Sequence, residues 1–237
     1  MTEADFLKTY DAGMFAPYAV TVDLVLFSVI EGRLVTLVKR RDQHPFQGKW
    51  ALPGGFVQPD EDLEAAAARV LLTKTPIEDV WLEQLYTFGA PDRDPRMRII
   101  SVAYFALLPE AVFQAALEQD ADMSCAVVAL AGDAAQVRLV EGEALELAFD
   151  HSDMIAVAVK RLRGKIDYTP IALALLPDRF TLRELQEIHE AILDTQFNKP
   201  AFRRRILDAG MIEGTGEREP SGGAYRPAEL YQRKPQA

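Results

Sequence analysis

The sequence predicts an α+β fold in two domains, residues 1–165 and 166–237. Three observations carry this expectation. Two β-branched apolar runs separated only by Glu31-Gly32 read as a strand hairpin. A helix rich in alanine and leucine follows a double-glycine turn at Gly54-Gly55. Beyond a break at Tyr168-Thr169-Pro170, two capped helices precede a strand, a Gly/Pro-rich loop and a strand, the order of a winged helix-turn-helix.

In chain order, VTVDLVLFSVI (20–30) and RLVTLVKR (33–40) are the strands of the hairpin. FQGKWALPGGF (46–56) is a loop leading into tight glycine turns. Glu61 to Thr73 is helical, and Thr75-Pro76 ends that helix because a residue before proline is pushed out of the helical region. Residues 81–88 and 98–108 are strands joined by the polar loop GAPDRDPR. Residues 110–120 form a short helix, and the small, acidic stretch 131–145 forms surface strands and loops. MIAVAVKRLRGKI is a helix capped by Ser152 or Asp153. Thr181-Leu182-Arg183-Glu184 is a capping box opening helix 182–194, with Leu182, Leu185, Ile188, Ala191 and Ile192 at helical spacing. Asn198 caps a second helix with Pro200 in its first turn and Gly210 past its end. Ala201, Phe202, Ile206 and Leu207 are its expected core stripe.

Composition narrows the function classes. About half of the 237 residues are apolar (49%), enough for a packed core. No window reaches the roughly 18 apolar residues of a membrane span. The first residues carry two acids and no basic region, which predicts no signal peptide. One cysteine, Cys125, allows no internal disulfide, and His44, His151 and His189 lie too far apart for a zinc spacing. A reducing cytoplasm is the expected compartment. The net charge of −10 argues against general adhesion to nucleic acid, but the charge is uneven. Residues 1–165 hold 16 Lys+Arg against 25 Asp+Glu, whereas 196–237 hold 8 against 5.

Two constellations carry chemistry. At the front, Gly55, Glu61 and Arg69 have the spacing Gly-x5-Glu-x7-Arg. Trp50, Pro53, Gly54, Gly55 and Phe56 could wall a nucleotide site, and Arg93, Arg96 and Arg98 suit phosphate. The arginine loop reads equally as a salt-bridged surface. At the back, Lys199, Arg203, Arg204 and Arg205 lie on the second helix, with Lys199 and Arg203 on a face away from Phe202 and Ile206. The wing adds Arg218, Tyr225 and Arg226. An exposed basic helix with a Gly-rich wing is what contact with DNA phosphates and base edges requires.

The front motif resembles the Nudix box, which continues Arg-Glu-U-x-Glu-Glu-x-Gly-U with U apolar. Here the glutamate positions hold Val70, Thr73 and Lys74, and the glycine position holds Pro76. Positions 70, 73 and 74 share one helix face, where an active enzyme gathers magnesium on carboxylates. No catalytic and no metal-binding residue is therefore expected, and the chain is expected not to be an enzyme. The rival is a magnesium-dependent hydrolase of ADP-ribose using Glu61 and Glu64. A second rival is a module whose winged helix docks to another protein. The run RDPR…SVAYFAL resembles Nudix proteins that handle ADP-ribose.

The order of parts resembles the NrtR family of NAD-related Nudix transcriptional regulators. The more specific stretches are WALPGGF (50–56), residues 149–193, FRRRILDAGMIE (202–213) and YRPAELYQ (225–232). The resemblance implies a Nudix-like α/β/α sandwich with a mixed sheet, followed by the winged helix. It implies a homodimeric repressor on a palindromic double-stranded operator, with ADP-ribose as effector and no required cofactor. NAD and phosphorylated sugars stay open as alternative effectors. NKPAFRRR stands where the family run is nearer DKRNFRR, so Pro200 and Ala201 alter the base-contacting helix.

Overall fold

A computed structural model of the chain describes residues 1–78, 80–140, 142, 144–220 and 227–234. The chain enters through a capped helix, α1 (Glu3–Thr9), and a short 3-10 turn. The hairpin is β1 (Ala19–Ile30) and β2 (Arg33–Arg40), turned at Glu31 (φ 49°) and Gly32 (φ 70°). The expected loop 46–56 contains two short strands, β3 (Trp50–Ala51) paired with β2 and β4 (Gly54–Phe56) paired with β1. There follow α2 (Leu63–Lys74), β5 (Glu83–Phe88), β6 (Ile99–Leu107), α3 (Glu110–Gln119), β7 (Met123–Ala131) and β8 (Ala134–Leu139). Next come α4 (His151–Lys165) and a 3-10 turn at Pro170–Leu175. The chain ends in β9 (Phe180–Thr181), α5 (Leu182–Leu193), α6 (Lys199–Asp208), β10 (Ile212–Arg218) and β11 (Glu229–Arg233).

The large sheet runs β5-β6-β1-β2-β7-β8 and is mixed. β1 and β6 pair in parallel from Ala19↔Ile99 to Phe27↔Leu107, while the other neighbours are antiparallel. Alternation along β1 explains its unbroken apolar sequence. Val22, Leu24 and Leu26 face α2 and α3, joining Ala66, Val70, Leu71 and Phe113. Val25 and Phe27 face the other way, joining Ile155, Val159 and Leu162 of α4. A strand buried on both faces reads as a continuous hydrophobic run. The result is the expected α/β/α sandwich with a mixed sheet.

The second layer does not stop at α4. Leu185, Ile188 and Ile192 of α5 and Phe202 of α6 belong to the same core cluster. The expected boundary at 165 falls on the last residue of α4, whose apolar face is shared by the sheet and the winged helix. Three strands, in the order β10-β11-β9, complete the winged helix. Among the described residues no helix is long and apolar enough to cross a membrane.

Several expectations need correction. α4 starts at His151, with Asp150 in the cap position and no side-chain cap bond, because the Asp150 carboxylate is taken by Arg93. Ser152 and Asp153 therefore lie inside the helix. Strand β7 is an element beyond those the sequence reading assigns, and pairing with β2 supports its strand form. On α6 only Phe202 is buried, whereas Ala201 and Leu207 are exposed and Ile206 is half-buried.

The capping box at α5 is complete. Thr181 Oγ1 accepts from the Glu184 amide (3.2 Å), and the Glu184 carboxylate accepts from the Thr181 amide (2.7 Å). Replacing Thr181 by Ala should cost about 1 kcal/mol of folding stability, read as a lower urea midpoint at unchanged slope.

Candidate functional site

The front constellation converges on a cleft of about 430 Å³ on the face of β1 that looks toward α4, with Arg69 and Lys74 of α2 at its rim. Asp23, Gly54, Gly55, Phe56, Arg93, Arg96, Phe149 and His151 are among its walls. Strand β1 delivers Asp23 to the floor, although a carboxylate in a central strand is costly unless fully partnered. Its Oδ2 accepts from Ser101 Oγ at 2.5 Å, its Oδ1 lies 3.6 Å from His151 Nε2, and Arg93 approaches at 3.9 Å. A Cβ on Gly54 would stand 2.0 Å from Asp23 Oδ1 and 3.0 Å from the Val22 carbonyl. Only glycine therefore lets β4 pass over the carboxylate.

His151 Nδ1 accepts from the Leu52 amide at 2.8 Å, which places the proton of the neutral ring on Nε2, toward Asp23. Burial depresses the value of this imidazole, against the raising influence of the Asp23 charge. Arg93 is also buried, and it grips Asp150 in a bidentate pair (2.9 and 2.7 Å). It is thus a fixed pin between the 89–98 loop and the start of α4.

The mouth is built from aromatics and guanidinium groups. Arg96 pairs with Asp94 (2.8 and 3.0 Å) and lies 5.2 Å from the Phe56 ring and 5.9 Å from the Phe149 ring. Arg41 lies 4.9 Å from Phe149, and Phe46 meets Phe149 edge-on at 4.8 Å. The Arg41 value is lowered, first by burial and then by the neighbouring Arg96 charge. Two like charges beside aromatic faces suit an anion attached to a flat ring. Thr21 Oγ1, also on the wall, is buried without a hydrogen-bond partner among the described residues.

At the other end, α6 presents its basic triplet in three different settings. At 100° per residue Arg204 stands about 200° from Phe202, so it faces outward. Arg203, expected on that face, turns toward the wing, 3.6 Å from Glu229 Oε2 and 5.9 Å from the Tyr231 ring. Arg205 turns inward over Phe197 (4.7 Å) and lies 3.2 Å from Asp167. Lys199 and Arg204 are exposed and have no ion pair among the described residues. Arg218 donates to the Pro227 carbonyl at 3.2 Å, and Tyr225 and Arg226 lie outside the described residues.

Comparison with known proteins settles what this assembly is. Residues 17–152 match the NUDIX domain family, and residues 172–232 match the NrtR DNA-binding winged helix domain. The ADPR responsive transcriptional repressor NtrR of Acinetobacter baylyi is 38% identical over 97% of this chain and 88% of its own length. The chain belongs to the NrtR family. Among solved structures, Shewanella oneidensis NrtR complexed with a 27mer DNA is 34% identical, with TM-score 0.74 over 91% of this chain and 93% of that one. A MutT/nudix family protein from Enterococcus faecalis is 25% identical, with TM-score 0.79 over 99% of this chain and 94% of that one.

Within this NrtR family member, the box keeps its scaffold and changes its helix face. Arg69 grips Glu61 (2.8 and 2.5 Å) and the Phe56 carbonyl (2.8 Å), closing the loop before α2. The hydrogen bond from Arg69 holds the Glu61 carboxyl down to about 2. Val70 is fully buried, and Gly55 passes close above it. Thr73 Oγ1 donates to the Arg69 carbonyl, and Lys74 lines the cleft. Among the described residues no three His, Cys, Asp or Glu side chains gather as metal ligands.

Of the expected front residues, Gly54, Gly55, Phe56, Arg93 and Arg96 line the cleft. Trp50 and Arg98 are not among its lining residues. Trp50 packs on the core cluster of α4, and Arg98 lies 5.9 Å from the Tyr18 ring. Sequence reasoning missed Asp23, Arg41, Phe149 and His151. An acid inside VTVDLVLFSVI was the available signal for Asp23; nothing local marks the others, which the fold brings in from distant segments.

Two outcomes follow. Gly54→Ala should lose about 1–3 kcal/mol of stability from overpacking against Asp23, seen as a reduced urea midpoint. His151 and His189 are both depressed below the ordinary 6.5, chiefly by burial. Below that value the unfolded chain binds protons that the folded chain refuses. Their stabilising contribution is full above pH 6.5 and declines as pH falls below it. Unfolding curves between pH 7.5 and about 5 should show this loss, and a flat profile would contradict it.

Proposed function

We propose that this protein is an ADP-ribose-responsive transcriptional repressor that binds operator DNA through its winged helix and releases it when the NUDIX cleft is filled. The observation that carries this is one chain joining a nucleotide-type cleft to a winged helix, aligned with its repressor relative over 97% of this chain. In this reading the pyrophosphate lies between Arg41 and Arg96, relieving their mutual repulsion, and an aromatic ring of the ligand lies against Phe56 or Phe149. Arg204 and Lys199 meet DNA from α6, with Arg218 on the wing. Arg203 and Arg205 support the helix on either side. The operator is a palindrome read by a homodimer in the cytoplasm, because one winged helix covers one half-site.

The residues do not fit magnesium. The helix face that would hold it carries a buried Val70, an exposed Thr73 and a cationic Lys74, and Glu61 is already spent on Arg69. The protein therefore holds its ligand without cleaving it. The test is fluorescence anisotropy of the full chain on DNA upstream of its own operon, with ADP-ribose titrated in. We expect salt-sensitive binding that ADP-ribose weakens about 5- to 150-fold, the usual range of allosteric coupling. Binding indifferent to ADP-ribose would remove the ligand assignment, and magnesium-dependent release of AMP would make the protein a hydrolase.

A further inference from the structure

We propose that Arg163 is the positioning residue through which the effector cleft acts on the DNA-binding helices. This rests on the functional reading above and names the path of regulation within it. α4 spans about 22 Å, at 1.5 Å for each of its 15 residues. Its first turn is part of the cleft: Asp150 holds Arg93, and His151 accepts from the Leu52 amide and faces Asp23. One end of the rod is thereby set by the groups that surround a bound ligand.

At the far end, one side chain of α4 hydrogen-bonds α5 among the described residues. Arg163 Nε donates to the Ile192 carbonyl at 2.7 Å. Ile192 lies in the last turn of α5, where carbonyl groups have no partner within the helix. A guanidinium there satisfies an orphan acceptor and opposes the negative end of the helix dipole. Immediately beyond, Asp194 adopts a left-handed conformation (φ 53°), and the chain turns to Asn198, the cap of α6. Arg163 therefore grips the chain at the turn between the two DNA-binding helices. Arg161 and Lys165, on another side of α4, instead bond β5 at the Leu85 carbonyl and Glu83.

Space for movement is present at the same place. A cleft of about 380 Å³ separates Gly32, Arg33 and Val127 of the sheet from Glu190, Asp194 and Thr195, and Arg163 lines it. The turn is thus not packed against the sheet there. A small displacement of α4 at His151 reaches it through the Arg163 bond and re-aims α6.

The test uses the full chain and three measurements: operator affinity by anisotropy, ADP-ribose affinity by calorimetry, and operator affinity at saturating ADP-ribose. For R163M the first two should stay within about twofold of wild type, as for a substitution that touches neither ligand. The ratio of operator affinities with and without ADP-ribose should collapse from about 5- to 150-fold to under about twofold. R163K, which keeps a cationic donor, should recover most of the ratio; a purely structural loss would lower melting temperature without changing it. If R163M does not fold, the ratio is read on R163K and R163Q, and two wild-type ratios overturn the proposal. A coupled wild type beside an equally coupled R163M overturns this inference alone. A wild type whose operator binding ignores ADP-ribose overturns the functional reading as well.

Discussion

Asp23 is a carboxylate in the middle of the central strand, 6% exposed, and much of the molecule is arranged to keep it there. An unpaired buried charge is severely destabilising, so each neighbour is constrained. Ser101 on β6, two positions from Ala103, the register partner of Asp23, supplies a hydroxyl. Position 54 must be glycine. His151 must be neutral with its proton on Nε2, and that tautomer holds only while the Leu52 amide points at Nδ1. Arg93 must stay within reach of both Asp23 and Asp150. Four separate chain segments are thereby locked around one acidic group, and their surfaces make the cleft.

The lock has a structural consequence beyond the cleft. Asp150 and His151 begin α4, so the direction of that helix is fixed by the polar cluster at its N-terminus. Its buried face then orders two things at once. Ile155, Val159 and Leu162, each with 0% exposure, pack in one cluster with sheet residues and with Leu185 and Ile192 of the winged helix. Burying each such side chain is worth about 1.5–3 kcal/mol, so neither part can shift freely without α4. The two domains therefore share a core, and Arg163 adds to that packing a polar hold on the turn before α6.

Legibility in the sequence followed the range of the interactions. The hairpin, the Thr181–Glu184 capping box and the Asn198 cap are local, and the residues that make them are neighbours in the chain. The winged helix was readable for that reason. Gly55, Glu61 and Arg69 were readable because loop closure needs them at fixed spacing, and Arg69 indeed holds both Glu61 and the Phe56 carbonyl. Phe149 and His151 were not readable as cleft residues, since about a hundred positions separate them from Leu52 and Gly54 and only the sheet brings them together. Arg93 looked like a phosphate fork from its sequence; its bidentate bond to Asp150 arises from a contact 57 residues away. Likewise the triplet Arg203-Arg204-Arg205 reads as one charge run, but helical rotation sends the three groups to the wing, the solvent and the core edge.

The altered box makes sense as a division between scaffold and chemistry. Gly55, Glu61 and Arg69 shape the loop that forms one wall of the cleft, and losing them would dismantle the wall. The face of α2 that carries Val70, Thr73 and Lys74 plays a different part. Val70 fills the space beneath Gly55, where a carboxylate would be buried without a cation to balance it, a costly arrangement. Lys74 puts a positive charge at the cleft, which opposes a divalent cation but favours an anionic ligand. On the proposed function this is what a sensor needs. An effector shifts a conformational equilibrium only by its difference in affinity between two states, and it must persist while bound to do so. Hydrolysis would convert the signal into products with other affinities on the timescale of turnover. On that reading, an apolar plug and a cation in place of a metal-binding face leave a cleft that attracts phosphate and lacks the step that would destroy the message.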